Sequence, residues 1–224
     1  MNRRTFAILA LGLSLVTTPV LAQKKDAAAP APAPMSAAVN PDPAFEPENI
    51  LVLDLSNGGR VMIRLMPAWA PGHVDRVKTL TAQGFYNGVI FHRVIDGFMA
   101  QTGDPTGTGQ GGSPMPDLKA EFNFMPHVRG TVSMARTDQP DTANSQFFIV
   151  FYPRFALDHR YTNFGRVIAG MDVADAIVRG EPPSSPTLIV QASLLSENKP
   201  KPAAAPAPAA INLSPDLLSG AKQN

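Results

Sequence analysis

The stretch Phe91–Gln101 sets one arginine, Arg93, and one glutamine, Gln101, among the large apolar side chains of Phe91, Ile95, Phe98 and Met99. A cation held against an apolar wall is costly without a purpose, because charge loses its hydration there. The second half of the pattern stands at Asn144-Ser145-Gln146-Phe147-Phe148. Together the two stretches read as a binding surface for something apolar that also carries an amide. By strand alternation, about half of Phe91, Phe98, Phe147 and Phe148 should belong to the core instead. The run Gly107-Thr108-Gly109-Gln110-Gly111-Gly112 follows closely, but it lacks Gly-Lys-Ser/Thr and so is not a phosphate loop. Taken alone it reads as an irregular surface loop.

Other catalytic equipment is absent from the pattern. His73, His92, His127 and His159 show neither H-x-H nor H-E-x-x-H spacing, so no metal site and no metal cofactor are expected. The chain has no cysteine, which removes disulfides, thiolate chemistry and Cys-ligated zinc. Ser145 lacks a G-x-S-x-G frame. Asp158-His159 reads as a solvated turn. What remains is an arginine, a glutamine and an apolar pocket. One reaction needs little else: rotation about a peptide bond that precedes proline.

Several elements must position these residues. Ile50–Leu55 reads as a strand, and Asn57-Gly58 is a hairpin signal leading into the alternating strand Arg60–Leu65. Pro71 opens a helix with Val74, Val77 and Leu80 on one face, and Gly84 stops it. Phe91–Ile95, Phe98–Thr102, Thr131–Ala135, Phe147–Phe151, Phe164–Ile168 and Thr187–Ala192 are further strands. A second helix spans Asp172–Val178, with Val173 and Ile177 inward and Gly180 as its stop. The expected fold is mainly β: a closed antiparallel eight-stranded barrel capped by two helices.

Four blocks then carry a resemblance: Phe91–Gly112 (FHRVIDGFMAQTGDPTGTGQGG), Gly130–Thr137 (GTVSMART), Asn144–Phe151 (NSQFFIVF) and Leu157–Val173 (LDHRYTNFGRVIAGMDV). In this order they resemble the cyclophilin-type peptidyl-prolyl cis-trans isomerases, of the bacterial exported kind. The resemblance implies that Arg93 is the catalytic arginine and that Gln101 orients it. It further implies that Phe98, Met99, Phe148 and Leu157 form a proline pocket, and that Gly109, Ala135 and Gln146 belong to the neighbouring peptide groove. Proline-containing polypeptides are the implied partners, with no cofactor. Three positions depart from the commonest pattern. Tyr161 stands where a histidine is usual, and can still wall the pocket as an aromatic with a polar tip. Arg136 replaces a groove asparagine that acts through its backbone. Ala156 falls where many members carry a tryptophan important for cyclosporin binding, so weak cyclosporin affinity is implied.

The flanks differ in composition. Arg3 and Arg4, the apolar run Phe6–Val16 and Val20-Leu21-Ala22 give residues 1–22 the form of a signal peptide, which implies a periplasmic protein with no membrane insertion after cleavage. Residues 23–45 are Ala/Pro-rich and read as a disordered linker, residues 46–197 as the isomerase domain, and residues 198–224 as an Ala/Pro-rich disordered tail. Removing the signal leaves 17 basic residues against 18 acidic ones, with no polybasic run, so nucleic acid is not an expected partner. A monomer is expected. Two competing readings are a holding module without isomerisation and an envelope protein tethered by an uncleaved N-terminus.

Overall fold

A computed structural model describes residues 35–203, and the expected signal peptide, most of the linker and most of the tail lie outside the described residues. Eight antiparallel strands form one sheet: β1 (Ile50–Leu55), β2 (Arg60–Leu65), β3 (Arg93–Ile95), β4 (Met99–Thr102), β5 (Thr131–Met134), β6 (Phe147–Val150), β7 (Asn163–Ala169) and β8 (Ile189–Leu194). Their order across the sheet is β3-β4-β6-β5-β7-β2-β1-β8. Helix α1 spans Pro71–Ala82 and helix α2 spans Met171–Asp175.

The β1–β2 hairpin follows its sequence signal. Gly58 takes φ of 82°, and the Asn57 side-chain oxygen accepts from the Gly59 amide at 3.1 Å. The register sets Leu51 against Ile63 and Leu53 against Val61, four side chains of the main core. On the next pair Arg60 reaches across to its register partner Asp54 with two hydrogen bonds, 2.7 and 2.9 Å. Helix α1 starts at Pro71, whose missing amide hydrogen is no loss in a first turn. The Glu121 carboxylate accepts from the amides of Gly72 (3.0 Å) and His73 (3.1 Å), placing a negative charge at the positive helix end. Val74, Val77 and Leu80 are fully buried in the core.

The strand pleat sorts the aromatics. Phe91 and Phe147 join the main core, where Phe147 meets Tyr86 and Phe164 edge-on at 5.6 and 6.1 Å. Phe148 turns to the opposite face and joins Met99 and Val150 in a second, small cluster, against which Phe98, Ala135, Leu157 and Tyr161 pack. Adjacent residues on one strand point to opposite faces, so β6 serves both clusters at once.

The structure corrects two expectations. The sheet is an open half-barrel, not a closed barrel. Among the described residues β3 and β8 share no ladder, and only the isolated bridges Ile90–Leu188 and Val94–Gly180 span the seam. The chain opposite β3 there reads Gly180-Glu-Pro-Pro-Ser-Ser-Pro186, and proline has no amide hydrogen to give to a ladder. Helix α2 ends at Asp175, so Gly180 is not its stop but a bridge partner of Val94. The chain just ahead of residue 46 is docked on the sheet as well. The buried Arg64 guanidinium donates to the backbone carbonyls of Asn40 (3.2 Å), Asp42 (2.7 Å), Phe45 and Glu46 (3.1 Å). Trp69 Nε1 donates to the Ser36 carbonyl at 2.9 Å.

One cation therefore ties down a segment whose side chains are mostly exposed. Arg64→Met should lower unfolding stability by about 1–3 kcal/mol, since several charge-assisted hydrogen bonds are lost together. It should also speed proteolytic cleavage between Met35 and Glu46. Unchanged cleavage in limited proteolysis would show that Arg64 does not hold the segment.

Candidate active site

The site is a row of side chains across neighbouring strands. Arg93 on β3 pairs in register with Gln101 on β4, Gln101 with Phe148 on β6, and Phe148 with Ser133 on β5. A second row, one pleat along, runs Ile95, Met99 and Val150. Residues in register share a face at the strand spacing of about 4.8 Å, so Arg93, Gln101 and Phe148 sit side by side.

A hollow of about 110 Å³ opens on this face, lined by Arg93, Phe98, Met99, Gln101, Ala135, Arg136, Phe148, Leu157 and Tyr161. Phe98 comes from the turn between β3 and β4. Leu157 comes from the 3-10 turn Phe155–Leu157, and Tyr161 from the loop into β7. Tyr161 meets the Phe148 ring edge-on at 5.6 Å. The Arg154 guanidinium lies over the Phe98 ring at 5.1 Å and donates to the Gly97 carbonyl at 3.1 Å. Phe155 does not line the hollow; it is 63% exposed.

Beside the hollow lies a cleft of about 620 Å³, shared among Gln101, Gly109, Ala135, Arg136 and Gln146 with the loops 110–113 and 137–144. Gly109 and Gln146 thus lie in this neighbouring groove and not in the hollow.

The Gly-rich loop is strung over one carboxylate. Asp104 is 1% exposed; its Oδ1 accepts from the Thr106 amide (2.7 Å) and hydroxyl (2.8 Å), and its Oδ2 from the amides of Gly109 (2.6 Å) and Gly111 (3.1 Å). Gln146 Nε2 donates to the carbonyls of Gly109 (3.0 Å) and Gly111 (2.8 Å), closing the loop from the other side. Gly103, just before it, takes φ of 91°, and a Cβ there would come within 2.4 Å of the Ser145 carbonyl oxygen. The loop is therefore an ordered wall of the cleft, whereas its composition reads only as irregular.

Arg93 does not carry the burial cost that its apolar neighbours suggest. Its side chain is 43% exposed, and Nε donates to Glu181 Oε2 at 2.7 Å. Asp96, a nearer acid in sequence, pairs with Arg179 instead. The expected orienting role of Gln101 takes a different form as well. Gln101 stands beside Arg93 in register, but its Nε2 donates to Gln146 Oε1 at 2.8 Å. The group that holds Arg93 by hydrogen bond is Glu181, 88 residues along the chain. No local signal marks Glu181; only the fold brings its loop to β3. Asp104 could have been found, because Asp104-Pro105-Thr106-Gly107 puts Asp, Pro and Gly at the first, second and fourth positions that a type I turn favours.

His73 and His127 sit in buried structural pairs, whereas His92 is buried next to Gly109 of the Gly-rich loop. His73 is fully buried, its Nδ1 is 2.6 Å from Glu121, and burial lowers its pKa against the opposing pull of that carboxylate. His127 is likewise buried between Asp158 (2.8 Å) and the Ser133 hydroxyl (2.8 Å), with its pKa again lowered by burial. Among the described residues no group of three or more histidine, aspartate or glutamate side chains is placed to hold a metal ion.

With this geometry in hand, comparison with known proteins gives a consistent result. Residues 50–194 match the family model described as cyclophilin type peptidyl-prolyl cis-trans isomerase/CLD. A probable peptidyl-prolyl cis-trans isomerase of Brucella suis biovar 1 is 44% identical over 178 residues, covering 72% of this chain and 90% of the relative. The human peptidyl-prolyl cis-trans isomerase-like 3 is 43% identical over 123 residues, 53% of this chain and 76% of that protein. Among solved structures, a cyclophilin of Hirschia baltica superposes with a TM-score of 0.64 at 30% identity, over 70% of this chain and 77% of the other. A cyclophilin-type isomerase of Cryptosporidium parvum, crystallised in the presence of the dipeptide Ala-Pro, gives 0.60 at 28% identity, over 65% and 98%.

The Asp104 cluster has a measurable pH signature. Burial alone would raise its carboxyl pKa, but the bonds from Thr106, Gly111 and Gly109 outweigh it and hold the group at about 2, against an ordinary 3.8. A carboxyl with a depressed folded-state pKa contributes stability that is complete above the unfolded value and vanishes as pH falls through the folded one. Asp104 should therefore contribute about 2 kcal/mol above pH 4, lost between roughly pH 4 and 2. Urea unfolding of wild type and Asp104→Asn across that window tests this. The variant should lose that part of the pH slope, and parallel slopes would refute the assignment.

Proposed function

The chain belongs to the cyclophilin-type peptidyl-prolyl cis-trans isomerases, and from that premise we propose that it rotates X–Pro bonds in exported polypeptides, assisting their folding, through Arg93. The observation that carries the mechanism is the row Arg93–Gln101–Phe148, which sets a cation beside an apolar hollow of proline size.

The barrier to rotation, about 18–20 kcal/mol, comes from resonance between the amide nitrogen and the carbonyl. No bond need break and no proton need move. Catalysis consists of binding the twisted amide better than either planar isomer. As the bond twists, the proline nitrogen recovers its lone pair and becomes an acceptor. Arg93 is always charged and offers a rigid fork of donors. Its Nε is held by Glu181, and among the described residues neither Nη atom has a hydrogen-bond partner, so that edge is left for the substrate. Phe98, Met99, Phe148, Leu157 and Tyr161 clamp the ring while the preceding carbonyl swings. The Ala-Pro present with the Cryptosporidium relative supports a proline-containing peptide as the ligand class here.

Export rests on residues 1–22: two arginines, an apolar run and small residues before Gln23. A periplasmic enzyme acting on exported chains follows. The mass of the mature protein decides it: a start at Gln23 supports export with cleavage, and a retained N-terminus overturns it.

Arg93→Ala should fold normally and lose roughly 10²- to 10³-fold in kcat/KM on a Pro-containing peptide, the usual cost of removing one preorganised donor. Full activity would sink the mechanism. Since no group titrates in the reaction, the wild-type rate should be flat from pH 6 to 8. Glu181→Gln should lose roughly two- to fivefold, as expected of an exposed pair worth up to about 1 kcal/mol, and the loss should shrink at high salt. No change at low salt would remove Glu181 from the account.

A further inference from the structure

Arg136 is unusually committed for a half-buried arginine. Its Nε and Nη2 donate to the Arg160 carbonyl at 3.0 and 2.8 Å, and its Nη1 to the carbonyls of Thr137 (2.7 Å) and Asp138 (3.2 Å). These acceptors belong to two different stretches: the chain leaving β5 and the chain entering β7. Its guanidinium carbon lies 4.7 Å from the centroid of Tyr161, and 5.8 Å from that of Phe122. Tyr161 in turn meets Phe148 edge-on. Arg136 also lines both the small hollow and the larger cleft.

We propose that the Arg136 side chain is a positioning residue for substrate binding, holding Tyr161 as a wall of the hollow where it opens into the cleft. This rests on the reading of the hollow as the prolyl site. Tyr161 sits on a loop and not on a strand; its amide donates to the Leu157 carbonyl at 3.1 Å, which fixes its backbone but not its ring. The fork of Arg136 lies over that ring and adds side-chain bonds between the two stretches, which the Met134 amide and the Thr162 carbonyl also join. Four of its five N–H donors are spent on backbone carbonyls, so it acts on the peptide mainly through Tyr161 and the shape of the opening. A peptide with its proline in the hollow and its neighbours in the cleft must pass this point. The reacting nitrogen faces Arg93, on the other side, so the contribution falls on binding and not on rotation itself. Lysine cannot replace Arg136, because a point ammonium can neither span Arg160 and Thr137 nor stack flat on the ring.

The test uses the full chain and a proline-containing tetrapeptide, measuring kcat and KM for wild type, Arg136→Ala, Arg136→Lys, Tyr161→Ala and the double variant Arg136→Ala/Tyr161→Ala. Arg136→Ala should raise KM roughly fivefold, within the range of a lost cation–π contact, with kcat within about twofold of wild type. Arg136→Lys should behave like Arg136→Ala. The double variant should be no worse than Tyr161→Ala alone, because the two residues act as one unit. An unchanged KM in Arg136→Ala overturns the proposal, as does full rescue by lysine or additivity in the double variant. A parallel fall of kcat and of the urea midpoint also overturns it, by making Arg136 a general structural clip. If Arg136→Ala does not fold, Arg136→Lys carries the same comparison. Arg93→Ala, run alongside, lowers kcat; its full activity would strike the Arg93 mechanism and leave the KM result for Arg136 standing.

Discussion

The pleat of β6 carries both halves of this molecule. Phe147 and Ile149 point into the main core, and Phe148 and Val150 point out to the second cluster. Because successive side chains alternate, one strand stabilises the fold and presents the pocket floor without any specialised element. β4 does the same, with Ala100 inward and Met99 outward. Strand register then aligns Arg93, Gln101 and Phe148 into one row. The position of the cation relative to the hollow is thus a property of the ladder, which is far stiffer than any side-chain pair.

Around this rigid floor the walls are loops, held by polar side chains. Asp104 gathers the amides of the Gly-rich loop, and Gln146 takes its carbonyls. Arg136 joins the loops beside Tyr161, and Arg154 covers Phe98. The arrangement follows a general need: loop backbone has no ladder to satisfy it, so side chains supply the missing partners. Such loops can be ordered where binding needs a fixed wall, while the floor keeps its own stability.

The glutamine beside the arginine shows where sequence reading stops. Arg93 and Gln101 are eight residues apart around a tight turn, and their proximity is legible from the strand pattern. Which group each side chain bonds to is not. Gln101 turns to Gln146, and Glu181 takes Arg93, because long side chains choose partners by what the fold brings within reach. The site residues named from the resemblance divide in the same way. Arg93, Phe98, Met99, Gln101, Ala135, Phe148, Leu157 and Tyr161 meet in one hollow, whereas Gly109 and Gln146 stand in the cleft beside it.

Local pattern alone determined the strands, the Asn57-Gly58 turn, the start of α1 at Pro71 and that about half of the pattern's phenylalanines belong to the core, while the resemblance said which ones face the pocket. Each depends on a period of two or 3.6, or on the conformational limits of glycine and proline, and all of these act within a few residues. The tertiary structure decided the rest. It left the sheet open, because the proline-rich chain opposite β3 cannot complete a ladder. It docked residues 40–46 on Arg64, and it gave Arg93 a carboxylate 88 residues away. Those outcomes depend on backbone carbonyls and distant side chains meeting in space. Carbonyls are the same at every residue, so a sequence cannot say which of them an arginine will find.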